Sequence, residues 1–109
     1  MAITQAVCNS FKQQILEGVH DLESGGDVIK LALYTSQATL SAATTSYTTG
    51  NEVSASGQYA AKGGTLASQQ VGLNNGVAIV DFADLSFTGV TLTARGALIY
   101  NSTEANKAI

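Results

Sequence analysis

The sequence predicts a mainly β protein, an antiparallel β-sandwich with one N-terminal amphipathic α-helix. Three features predict this class: a helical period at the N-terminus, apolar residues alternating with a period of two from about residue 28 onward, and an Asn-Gly pair between two apolar runs. The 109 residues, 45% of them hydrophobic, suffice for one core and are too few for two. We therefore expect a single domain over residues 1–109.

The N-terminal segment carries the only clean helical period. Its apolar residues recur every four positions as Ile3, Val7, Phe11, Ile15 and Val19. Polar side chains fall on the other side, and Gly18 is placed to end the helix with a positive φ. The pattern predicts a helix over about residues 3–18 whose apolar stripe faces the core.

A turn and a strand are predicted after the helix. Residues 24–27 (SGGD) are typical of a turn, and residues 28–35 place Ile29, Leu31 and Leu33 on one face of a strand. Residues 36–64 are dominated by Ser, Thr, Ala and Gly, which predicts an irregular excursion over the surface. A loop of this length in a compact domain usually contacts something.

Residues 65–109 form the best strand region. Asn74-Asn75-Gly76 separates residues 65–73 from residues 77–82, and an Asn-Gly pair readily supplies the two positive φ values of a type I′ hairpin turn. Residues 90–100 alternate between the two faces of a strand, which predicts one long strand with a bend or bulge at Gly96.

Charge and hydropathy argue against two classes of partner, nucleic acids and membranes. Charged residues make up 12% of the chain and the net charge is −3. Its few basic residues are scattered singly, whereas neutralising phosphates requires clustered Lys and Arg, so we expect no nucleic-acid partner. No run approaches the roughly 18 apolar residues of a membrane span, and the first residues lack the pattern of a signal peptide. We therefore expect no membrane partner and synthesis in a cytosol.

Side chains suited to catalysis or metal binding are sparse. His20 is the only histidine and Cys8 the only cysteine, so a His-rich or paired-Cys metal site cannot form. A Cys8–His20 nucleophile pair would require the helix end to fold back, and Asp81 and Asp84 lie where acids usually cap turns. The acidic residues at positions 21–27 lack the spacing of a calcium loop. We expect no catalytic, metal-binding or cofactor-binding residues, and no enzyme activity.

The surface composition favours permanent contact with other subunits. Few charges would have to be desolvated, and the chain has no proline to protect strand edges. Arg95 is the single arginine, and Tyr47 and Tyr59 are among the few large side chains of the excursion. Because Arg and Tyr are enriched at interfaces, these three are the candidate interface residues of a homo-oligomer. The alternative for Arg95 is an outward-facing arginine paired with a carboxylate.

Six stretches carry a family resemblance that follows the chain in order over nearly its whole length. They are residues 5–13 (QAVCNSFKQ), 29–36 (IKLALYTS), 51–53 (NEV), 63–66 (GGTL), 81–84 (DFAD) and 94–101 (ARGALIYN). These stretches resemble a family of small virion structural proteins of tailed bacteriophages. Relatives run past the equivalent of residues 106–108 into a further strand pair, and the family brings no catalytic or ligand residues.

The resemblance implies a β-sandwich and a head-decoration (cement) protein on the capsid surface, made in the host bacterial cytoplasm. Its partner would be the major capsid protein or another virion protein, and a trimer is preferred because trimers match the local three-fold positions of a capsid. The alternative is a tail or fibre component with a carbohydrate-binding tip, for which the polar residues 36–64 would be suited. Both are preferred to a cell-wall glycosidase that uses Asp81 and Asp84.

Overall fold

A computed structural model describes residues 3–109 of the chain; Met1 and Ala2, which the predicted domain includes, lie outside the described residues. The described part is mainly β with one short helix, as predicted. Its elements are α1 (Asn9–Leu16), β1 (Ile29–Tyr34), β2 (Gly64–Thr65), β3 (Gln70–Asn74), β4 (Val77–Asp81), β5 (Gly96–Asn101) and β6 (Lys107–Ala108).

Two separate antiparallel sheets organise the strands. One has four strands in the order β2-β1-β5-β6, and β3 pairs with β4 alone. At the centre of the larger sheet, β1 and β5 pair from Ile29 opposite Asn101 to Tyr34 opposite Gly96. The main core lies against this pair and includes Ala32, Tyr34, Leu98 and Tyr100. Neither sheet closes, so the sandwich arrangement stays a prediction.

The helix is shorter than the predicted span of residues 3–18, and its apolar stripe does not face the core throughout. Ile3 forms a bridge with Leu40, and the Thr4 amide donates to the Leu40 carbonyl at 2.9 Å. Phe11 is partly buried against the core, whereas Val7 is 51% and Ile15 41% exposed. The prediction was wrong at its N-terminal end because pairing with residue 40 replaces helical hydrogen bonds there, and periodicity does not report long-range pairing.

The predicted long strand of residues 90–100 is also shorter in the structure. It begins at Gly96, because β1 has six residues and these are paired with the six residues of β5. Residues 90–95 have no strand opposite them in the larger sheet. Gly96 is required for close packing rather than for a bulge, since a Cβ there would lie 2.8 Å from the Ile3 side chain.

Residues 36–63 contain isolated bridges and no strand, in agreement with the predicted irregular excursion. The segment nevertheless packs firmly on the body. Its buried apolar side chains are Ala38, Leu40, Tyr47, Val53 and Tyr59. Gly63 ends the segment at φ +80°, and a Cβ there would lie 1.8 Å from the Leu31 carbonyl oxygen. Only glycine fits this position.

Candidate interaction surface

The β3–β4 hairpin confirms the turn predicted at residues 74–76. Asn75 and Gly76 have φ values of 51° and 80°, the two positive values that a type I′ turn requires. Asn74 lies opposite Val77, and the register continues to Gln70 opposite Asp81. The local turn chemistry therefore fixes which residues face each other along the hairpin.

Both strands of the β3–β4 hairpin are exposed along their whole length. Five large apolar side chains lie in water: Val71, Leu73, Val77, Ile79 and Val80, with exposures between 38% and 75%. Because strand side chains alternate, Leu73 and Val80 lie on one face and Val77 and Ile79 on the other. Apolar residues on both faces are the pattern of a strand that is covered on both sides.

The exposed hairpin is unusual for a protein that stays alone. An isolated two-stranded ribbon is at best marginally stable in water, and contiguous apolar surface marks contact sites. Within the subunit, the hairpin is fixed near its base: the Ala83 amide donates to the Ala67 carbonyl at 2.8 Å, and buried Gln69 donates to the carbonyls of Glu23 and Asp27 at 2.9 and 3.1 Å. The rest of the ribbon is available to a partner.

An open groove of about 420 Å³ lies between α1 and the hairpin. Its apolar walls are formed by Phe11, Ile15 and Leu22 on one side and by Val71, Ala78, Ile79 and Val80 on the other. The acidic residues Asp21 and Glu23 also line it. Together, the hairpin and the groove form one apolar surface, which we take as the candidate interaction surface.

The three candidate interface residues lie apart from this surface. Arg95 is exposed, and its backbone amide donates to the Tyr34 carbonyl at 2.8 Å, so its interface role stays a prediction. Tyr47 and Tyr59 are buried, at 9% and 1% exposure. Both donate to Glu52: Tyr47 to Oε1, and Tyr59 to Oε2 at 2.7 Å. The structure thus gives the two tyrosines a role in the core.

Glu52 is the centre of a polar network that the sequence did not indicate. Besides the two tyrosines, the Lys62 amide donates to Glu52 Oε2 at 2.8 Å, and the Leu33 amide donates to the Tyr59 hydroxyl at 2.8 Å. Burial and the nearby Glu52 carboxylate raise the pKa of both Tyr47 and Tyr59. The network ties the irregular segment to β1, and no local spacing reveals it because its members come from four separate stretches.

A second network joins the end of the helix to the larger sheet. Asn101 is fully buried, and its Nδ2 donates to His20 Nδ1 at 2.9 Å and to Asp27 Oδ2 at 2.8 Å. His20 Nε2 lies 2.8 Å from Gln14 Oε1. This arrangement requires a neutral imidazole with its proton on Nε2, and burial lowers the pKa of His20 despite the opposing charge of Asp27.

Three of the four residues considered for catalysis, Cys8, His20 and Asp81, are held in structural contacts. Cys8 is buried with its Sγ 4.0 Å from the Ser41 carbonyl, and burial raises the pKa of its thiol, which disfavours the nucleophilic thiolate. His20 bonds to other partners, as described above. Asp81 accepts a hydrogen bond from the Phe82 amide at 2.9 Å, and Asp84 is exposed. Among residues 3–109, no three His, Cys, Asp or Glu side chains are grouped so as to hold a metal ion.

Neither models of known protein families, nor curated proteins, nor solved structures match this chain. In the part of the chain that the structure describes, no helix is long and apolar enough to cross a membrane. The molecule is thus defined by its own features: a small, mainly β chain with a well-bonded body and an exposed apolar hairpin.

Proposed function

We propose that this chain is a non-catalytic structural subunit of a tailed-phage virion, and that it decorates the head by binding the major capsid protein. The observation that carries the proposal is the β3–β4 hairpin, which leaves apolar side chains exposed on both faces. The resemblance of the chain to phage virion proteins supports the location. The predicted sandwich belongs to the same proposal, because a neighbouring molecule would supply the layer that covers the hairpin.

The exposed apolar surface of the hairpin would contribute to association. Fully burying a Val, Leu or Ile side chain is worth about 1.5–3 kcal/mol. The five large apolar side chains of the hairpin are roughly half exposed, so covering them would contribute on the order of 4–8 kcal/mol before the cost of association. Contacts of this strength, repeated by the symmetry of a shell, become strong through avidity.

Binding to the assembled head would reinforce it by mass action. A protein that binds the assembled shell, and not the separated capsid subunits, shifts the equilibrium toward the shell. Such a role requires a surface and no reactive group. It agrees with the structural contacts of Cys8, His20 and Asp81 described above.

The tail or fibre alternative has less support from the structure. A carbohydrate-binding tip commonly presents an exposed aromatic ring against the sugar. Tyr47 and Tyr59, the aromatic residues of the irregular segment, are both buried. Decoration of the head is therefore the function we prefer.

A binding experiment with head particles that lack the protein tests the proposal. A double variant, Leu73→Ser with Val77→Thr, removes two of the most exposed apolar side chains of the hairpin. We expect it to lose most particle binding in co-sedimentation while its far-UV circular dichroism and melting temperature stay close to those of the native chain. Leu16→Ser is the matched control, because Leu16 is 90% exposed on α1, outside the hairpin, and should leave binding unchanged.

Two results would contradict the proposal. If the double variant binds heads as well as the native chain does, the hairpin is not the docking surface. If electron microscopy of labelled virions finds this protein on the tail, the fibre alternative replaces decoration of the head.

A further inference from the structure

We infer that the β4 edge of the hairpin pairs with the same edge of a second copy of this chain, in an antiparallel register centred on Ile79. The inference goes beyond the proposed function, since it gives the β4 edge a partner of its own, a second copy of this chain. It follows from the hydrogen-bonding pattern of β4, from the order of its side chains and from the position of its single charge.

β4 has a free edge in the described chain, because its two-stranded sheet gives it one neighbour, β3. In a hairpin with a two-residue turn, the residues that flank the turn form a hydrogen-bonded pair, and bonded and non-bonded pairs alternate from there. Val77 and Ile79 therefore bond inward to β3, while the N–H and C=O groups of Ala78 and Val80 point outward. No backbone bond elsewhere among residues 3–109 uses these outward groups.

The outward groups of β4 are complementary to themselves. When Ile79 is centred on the two-fold axis, Ala78 pairs with the partner's Val80 and Val80 with the partner's Ala78. Each of these pairs can exchange both of its N–H···O bonds. If the two-fold axis passed through Ala78 or Val80 instead, an outward-facing residue would have to pair with the partner's Gly76 or the partner's Phe82. Both positions lie outside β4, so the paired edge would be shorter.

The side chains favour the same register. Exposed strand edges are usually protected by charged side chains, especially lysine, or by proline. Residues 77–80 (VAIV) contain none of these. The only charge on the strand is Asp81, which in this register lies opposite the partner's Val77 and away from the partner's Asp81. Two hairpins joined in this way form a four-stranded sheet with a continuous apolar face, which meets the minimum size for a stable isolated sheet.

The symmetry that follows is two-fold. A strand edge that pairs with its own copy closes after two subunits. This geometry differs from the trimer predicted from the sequence. The β3 edge is a poorer template, since β3 is interrupted by Gly72 and carries Gln70 and Asn74.

Cysteine cross-linking tests the register directly. Residue 79 faces its own copy in a non-hydrogen-bonded pair, where the Cα atoms are about 4.5 Å apart, within the range of a disulfide. We expect an Ile79→Cys chain to form a covalent dimer under mild oxidation. Val77→Cys is the matched control: it lies on the same strand and face and is more exposed, at 60% against 46%, yet it would face Asp81 of the partner subunit. If the chains only collided without pairing, Val77→Cys would form more cross-links, because it is more exposed. Edge pairing instead makes Ile79→Cys the variant that forms more cross-links.

A charge exchange at the same position gives an independent measurement. Chains with Ile79→Lys or Ile79→Glu should each be monomeric by sedimentation equilibrium, because like charges directly opposite each other destabilise a pair of strands. An equimolar mixture of the two should recover a dimer of one copy of each. Three results would each overturn the inference. The first is equal cross-linking of Ile79→Cys and Val77→Cys, and the second is cross-linking of Leu73→Cys in place of Ile79→Cys. The third is the absence of a dimer both in the native chain and in the mixture.

The two proposals fail separately. If Ile79→Cys does not cross-link while the hairpin double variant loses head binding, the edge pairing is wrong and the docking role stands. If the cross-link forms and the double variant still binds heads, the pairing stands and the docking role is wrong.

Discussion

Replacing Tyr59 by Phe should destabilise the body far more than the loss of one oxygen atom suggests. The Tyr59 hydroxyl donates to the Glu52 carboxylate at 2.7 Å and accepts from the Leu33 amide at 2.8 Å, in a side chain that is 1% exposed. A hydrogen bond to a charged group contributes about 1.5–3 kcal/mol and a neutral one about 0.5–1.5 kcal/mol. We therefore expect Tyr59→Phe to lower the free energy of unfolding by about 2–4.5 kcal/mol.

Tyr34→Phe is a matched control for this prediction. Tyr34 is also 1% exposed, and the substitution removes the same atom. Its hydroxyl donates to the neutral Thr48 carbonyl at 2.7 Å, and its contact with the Thr48 amide is long, at 3.4 Å. The expected loss is about 0.5–1.5 kcal/mol. Urea unfolding followed by far-UV circular dichroism measures both values, and unchanged m-values would show that the transitions are comparable.

The reasoning would be refuted by equal losses in the two variants, because the bond to the Glu52 carboxylate would then contribute no more than a bond to a neutral carbonyl. A domain of this size has about 5–15 kcal/mol of stability, so the upper end of the predicted loss would leave a substantial unfolded fraction if the native chain lies near the lower end of that range. A loss below about 0.5 kcal/mol for Tyr59→Phe would contradict the prediction in the same way.

Two further predictions concern pH and backbone conformation. Because burial lowers the pKa of His20 below its ordinary value of 6.5, the unfolded chain binds more protons than the native chain just below that pH, and stability should fall as the pH drops below about 6.5. Urea midpoints at pH 7.5 and 5.5 measure this fall; a His20→Gln chain should show less of it, and a native chain with equal stability at both values would contradict it. Gly63→Ala should prevent folding, since its Cβ would meet the Leu31 carbonyl. Gly50→Ala is the control and should change the melting temperature little, because a Cβ there would have nothing within 4 Å. Similar melting curves for the two variants would show that the backbone can move aside at Gly63.

Local chemistry was readable from the sequence, and long-range pairing was not. The hairpin turn at Asn75-Gly76 was predicted because two adjacent residues suffice to specify it, and β1 was predicted because its alternation lies within eight residues. The predicted helix is longer than α1 because Ile3 pairs with Leu40, far along the chain.

The candidate surface was only partly predictable for the same reason. The run of apolar residues in β4 is visible in the sequence and is typical of a covered strand. The folded chain leaves this strand uncovered, and only the three-dimensional structure shows this. The Glu52 and Asn101 networks gave no signal, because a partly buried carboxylate and a buried amide are identified by their neighbours in space.

All four tyrosines are buried in the body, the chain has no tryptophan, and the hairpin contains no aromatic residue. Near-ultraviolet absorption and dichroism above about 270 nm therefore arise almost entirely from the packed body. Fraying of the hairpin, or its burial against a partner, would leave these signals nearly unchanged. A probe placed on the hairpin, such as a tryptophan at the exposed Leu73, would report association separately from folding.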